Sequence, residues 1–94
     1  MIAFDRGPRF ESGEIIVTAD AARTIPPLDI KTALTRHLRG DWGDLGPEDR
    51  QRNDETLERG GTLASIFTAS NGTKFYVLTE ADRSATTILL PEEY

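Results

Sequence analysis

The 94-residue chain has no cysteine and contains one histidine, one tryptophan and one methionine. Without cysteine, disulfide staples and thiolate chemistry are excluded. A zinc site is not expected either, because it needs three or four ligands of the His, Cys or carboxylate type and only one imidazole is present. No apolar run approaches the ~20 residues that a membrane-spanning helix requires. The opening stretch, Met1 to Arg6, lacks the basic segment followed by an apolar run that marks a signal peptide. We therefore expect a cytoplasmic protein with no membrane partner, no metal and no cofactor. Basic charge is also scarce. The net charge is −5, and direct nucleic-acid binding is not expected.

The acids are concentrated. Residues 41–58 hold seven of them (Asp41, Asp44, Glu48, Asp49, Asp54, Glu55, Glu58) against Arg50 and Arg52, so this segment alone accounts for the net −5. The rest of the chain is balanced. Such a charge run is usually a solvated helix face. Its functional alternative is a negative docking surface for a partner with a basic groove.

One small domain, residues 1–94, is expected, with residues 1–12 as a loose arm because Gly7-Pro8 and Gly13 interrupt any period. Glu14 to Thr18 reads as a strand. Thr18 and Asp20 are placed to cap a short helical turn that Pro26-Pro27 breaks. Ile30, Ala33, Leu34, His37 and Leu38 recur at helical spacing, which predicts the main helix over 28–39, stopped by Gly40. Pro47-Glu48-Asp49 opens a second helix, up to Gly60-Gly61, in which only Leu57 is a large apolar residue. The last third predicts a meander: a strand over 63–69, a two-residue turn at Asn71-Gly72, a strand over 74–80, a turn at 80–84 and a strand over 85–90. The expected fold is α+β, a three- or four-stranded antiparallel sheet packed against one main helix plus a second, polar one. Both sheet faces carry apolar residues, and one helix covers one face, so a homodimer is one way to cover the other.

Three places could carry chemistry. His37 could serve as a general base or ligand, but it lies on the apolar face of its helix, where a hydrogen-bonded core histidine is the commoner case. Glu80, Asp82, Arg83 and Ser84 cluster at a turn. That arrangement suits acid–base work or a hard cation, or equally a solvated turn in which Asp82 and Ser84 bond local backbone and Arg83 meets an acid. Trp42, flanked by Asp41 and Gly43, is either a docking anchor or a core plug.

Several stretches together resemble a family of small bacterial proteins of plasmids and prophages: His37-Leu38-Arg39-Gly40-Asp41-Trp42-Gly43, Asn53 before Gly60-Gly61, Thr79-Glu80-Ala81-Asp82-Arg83-Ser84 with Thr86-Thr87, and Leu89 to Tyr94. The resemblance covers about residues 28–94. It implies mobile-element cargo, a setting in which small acidic proteins counter host defence, and it assigns no catalytic residue. The function expected is a non-enzymatic binder that inhibits a host nucleic-acid-handling complex, in the manner of an anti-CRISPR or anti-restriction protein. Its candidate binding residues are Asp41, Trp42, Asp44, Glu48, Asp49, Asp54, Glu55, Glu80, Asp82 and Arg83. The alternatives are a small hydrolase or metal-dependent enzyme using His37 with Glu80, Asp82 and Arg83, and an antitoxin-like regulatory module.

Overall fold

In the computed structural model, residues 7–94 are described. Strand β1 (Glu14–Val17) leads into helix α1 (Ala19–Thr24), where the Thr18 hydroxyl accepts from the Ala21 amide as the N-cap. Helix α2 (Pro27–Leu38) follows at once. α1 ends before Pro26, as the Pro26-Pro27 pair predicts, and Pro27 opens α2 in its first turn, where its missing N–H costs nothing. Helix α3 (Pro47–Arg59) begins the same way, with Glu48 and Asp49 in the first turn at the positive end of the helix dipole. Strands β2 (Leu63–Thr68), β3 (Lys74–Thr79) and β4 (Ala85–Leu89) form the meander, closed by a 3-10 turn at Pro91–Glu93.

The fold is α+β, with a four-stranded sheet in the order β1-β4-β3-β2. The sheet is mixed, which corrects the expectation of an antiparallel one. β1 runs parallel to β4, pairing Ile15 with Thr86 and Val17 with Ile88. The other two pairs are antiparallel. The chain leaves β1 through all three helices before returning to its neighbour β4. A crossover that long permits parallel pairing, whereas tight hairpins enforce antiparallel pairing.

Alternation sorts the strand residues onto two faces. Phe67, Phe75, Val77 and Ile88 join Leu90, Ala21, Ile25 and Ala33 in one buried cluster, with Ile30 and Leu34 of α2 packed against it. The opposite face, carrying Ala64, Ile66, Tyr76 and Leu78, is half-buried. The free edge of β2 is covered by residues 42–44. Gly43 bridges Ile66, and the Asp44 amide donates to the Ile66 carbonyl at 2.7 Å. α3 is fixed to that edge by Asn53, whose Nδ2 donates to the Ala64 carbonyl at 2.7 Å.

The β2–β3 connection differs from the two-residue turn expected at Asn71-Gly72. Gly72 has positive φ (86°) and Asn71 does not. The Gly72 amide donates to the Ala69 carbonyl and the Ala69 amide to the Thr73 carbonyl. This is a three-residue loop, a tight turn followed by a left-handed glycine. Tertiary bonds select it: Asn71 Nδ2 donates to the Thr24 carbonyl, and Asp29 accepts from both the amide and the hydroxyl of Ser70.

Residues 1–6 of the expected arm lie outside the described residues. Residues 7–12 have no regular structure, yet they are tied down. The Arg9 amide donates to the Leu38 carbonyl at 2.7 Å, and the Ser12 carbonyl accepts from Thr86 at 2.7 Å.

Candidate functional site

The helix-covered face of the sheet has an apolar half and a polar half. In the polar half three hydroxyl residues, Ser65 on β2, Thr79 on β3 and Thr86 on β4, point inward and are buried. His37, projecting from the last turn of α2, is 0% exposed and meets two of them. Its Nδ1 lies 2.5 Å from Ser65 Oγ and its Nε2 2.8 Å from Thr79 Oγ1. Thr79 Oγ1 is 2.8 Å from Thr86 Oγ1, which donates to the Ser12 carbonyl.

The direction of every proton in this chain follows from its end. A carbonyl only accepts, so the single Thr86 proton points to Ser12. Thr79 therefore donates to Thr86 and accepts from His37, which fixes the Nε2–H tautomer. Nδ1 is left to accept from the Ser65 hydroxyl. Every polar position of the imidazole is occupied inside the fold. Burial pushes the His37 imidazole down to about 4, with the positive charge of Arg83 adding to the effect.

Three side chains roof this network. Phe10 lies edge-on to His37 with ring centroids 5.4 Å apart, Trp42 lies edge-on to it at 5.5 Å, and Phe10 and Trp42 stack at 6.2 Å. Arg83 stacks its guanidinium over Phe10 at 5.6 Å. A serine hydroxyl donating to an imidazole nitrogen is the arrangement of a base-activated nucleophile. Here Ser65 is also 0% exposed, so a substrate would reach it only if the aromatic roof lifted.

Of the residues that the hydrolase reading would combine, Arg83 lies over the His37 network, while the two acids do not share its burial. Glu80 and Asp82 are exposed, whereas His37 is enclosed. Asp82 accepts from the Ser84 amide at 2.9 Å, and its bonds to the Ser84 hydroxyl and amide hold its carboxyl below the usual range. Arg83 does not meet an acid. Its Nη1 donates to the carbonyls of Gly61 (2.6 Å) and Glu80 (2.9 Å), which clamps the turn to the start of β2. These carbonyl bonds offset the left-handed φ of 62° that Arg83 adopts. Among the described residues no group of three or more His, Cys, Asp or Glu side chains is gathered closely enough to hold a metal ion.

Trp42 is 1% exposed and donates from Nε1 to Asp54 Oδ1 at 2.9 Å. It plugs the end of α2 and presents no surface to a partner. Asp41 is held by Arg36 (Nε to Oδ2, 2.7 Å) and also accepts from the Gly43 amide. The Arg36 contact is the main reason its carboxyl lies below the ordinary value. Asp44 accepts from Thr68 at 2.8 Å. The outward face of α3 is different. Glu48, Asp49, Asp54, Glu55 and Glu58 are all exposed. Arg52 pairs with Asp49 at 3.0 Å, and Arg50 turns inward to the carbonyls of Gly43 and Leu45. Two exposed basic residues, Arg52 and Arg59, therefore stand among five exposed acids along this helix.

Ser65 and Phe10 were not singled out by the sequence reasoning, and Thr79 and Thr86 entered it only within the stretches that carry the family resemblance, with no role assigned. A signal for Ser65, Thr79 and Thr86 exists: each is a hydroxyl at an inward position of an otherwise apolar strand face. Comparison with protein families, with curated proteins and with solved structures gives no match to this chain.

Proposed function

We propose that this protein is a small binding protein rather than an enzyme, and that the outward face of α3 is its docking surface. The partner that fits is a protein complex with a basic, nucleic-acid-holding groove, blocked by occupation with a folded acidic surface. A host defence complex countered by a mobile element is the setting that the family resemblance suggests. The observation that carries the reading is the division of labour among polar groups. The histidine and the three buried hydroxyls are consumed in one another, while the five acids of α3 are held outward against two exposed bases, Arg52 and Arg59. Opposite charge on a partner would steer association and favour one orientation.

The test is affinity capture from a bacterial lysate with two baits, the natural chain and a variant carrying Glu48→Gln, Asp49→Asn, Glu55→Gln and Glu58→Gln. The reading expects a basic, nucleic-acid-associated complex on the first bait, released by salt and absent from the second. Equal capture on both, indifferent to salt, would show that α3 is not the docking surface.

A further inference from the structure

The half-buried face of the sheet carries a groove of about 330 Å3 between the start of α3 and Tyr94. It arises because α1 and α2 both pack on the opposite face, and because α3 stands beside the β2 edge rather than over the sheet. Its floor is Ile66 and Leu78, and Leu45 closes the α3 side. Tyr94 forms the far wall, edge-on to Tyr76 at 5.2 Å. Asp49 is the one charged residue lining it.

We propose that this groove is the anchor site of the α3 docking surface, and that it takes a large apolar side chain from a partner segment carrying basic residues beside it. The proposal rests on the binding reading above and names the chemistry of the segment bound. Charge identifies the occupant. Glu48 stands next to Asp49 and Glu55 lies two turns further along the same helix, where Arg52 pairs with Asp49 and Arg59 is the other exposed base. On the same sheet face Lys74 lies two residues before Tyr76 and Glu14 lies on the far β1 strand, so the acid that borders the groove itself comes from its α3 end. A second copy of this chain is disfavoured as occupant, because each copy carries a net charge of −5 and the two would repel. An apolar anchor with a lysine or arginine nearby fills the floor and meets the acids at the rim together. Buried anchors of this kind carry most of the energy of such contacts.

The test uses three synthetic helix-forming peptides, of leucine and lysine, of serine and lysine, and of leucine and glutamate, each titrated into the whole protein while amide NMR shifts are followed. The leucine–lysine peptide is expected to move Ile66, Tyr76 and Leu78 together with α3. The serine–lysine peptide should move α3 alone, and the leucine–glutamate peptide should move neither. Leu78→Ser, at a half-buried site and with its amide spectrum used to check that the fold is intact, should weaken the leucine–lysine peptide about tenfold, the scale of a lost anchor contact. Shifts confined to α3 with both basic peptides would overturn the groove and leave the docking reading standing. No response of α3 to either would overturn both. Equal groove binding by the leucine–glutamate peptide would overturn the basic partner. Groove shifts that grow with protein concentration alone would make the occupant a second copy.

Discussion

His37 is a test of what a buried polar residue costs when its partners are supplied. Its imidazole is held neutral in the fold, at about 4 against an ordinary 6.5. Unfolding releases it to take up a proton anywhere between those values. Stability from this group is therefore complete above about pH 6.5 and is lost as pH falls toward 4, by about 3 kcal/mol in all. The exposed carboxylates with lowered values act below this window, since their contribution is lost only under the ordinary 3.8 of an aspartate. Urea midpoints measured from pH 7 to 4.5 should fall steadily, and His37→Gln should flatten the dependence. A flat profile in the natural chain would contradict the enclosed imidazole. Thr79→Val keeps the shape of the side chain but leaves the Nε2–H without an acceptor. A loss of about 1–3 kcal/mol is expected, the penalty for an unsatisfied buried donor. The sequence placed His37 on the apolar face of its helix. Its partners were not legible, because Ser65 is 28 positions away and Thr79 42 positions away, and only the strand register brings them together.

At the scale of elements, the helices and the meander were legible because their signals are local. Proline at the first turns, glycine at the ends and alternation in the strands each act within a few residues. Parallel pairing of β1 with β4 was not, since it joins residues about seventy positions apart and no local pattern encodes it. The segment beside β2 was equally hidden, although glycine at position 43 is required there. Gly43 has φ of 70°, and a Cβ on it would sit 2.1 Å from the Ile66 carbonyl oxygen. At Gly72 the φ is 86° but nothing lies within 4 Å of the missing Cβ. The two glycines should therefore respond differently to alanine. Gly72→Ala should cost about 1–2 kcal/mol, the left-handed penalty alone. Gly43→Ala should cost several times more, because it also displaces the β2 edge. Chemical denaturation of the pair checks this, and equal losses would mean that the 42–44 segment is not seated on β2.

At the scale of the whole molecule, fold and charge separate cleanly. Changing Glu48, Asp49, Glu55 and Glu58 to their amides takes the net charge from −5 to −1. It breaks one exposed ion pair, Asp49 with Arg52. Asp54 is left in place because Trp42 donates to it. Stability should change by no more than about 1 kcal/mol, since exposed pairs contribute little. Thermal unfolding of this variant at low and high salt checks that the acids are not part of the scaffold.

The choice between a binder and an enzyme turns on whether the one imidazole is enclosed or available. The direct measurement is an NMR titration of the His37 ring nitrogens in the intact protein. The account predicts the neutral Nε2–H tautomer at pH 7, with Nδ1 unprotonated, and no protonation until the pH nears 4. A ring that titrates near 6.5, or one that exchanges freely between tautomers, would contradict it and return His37 and Ser65 to consideration as a catalytic pair.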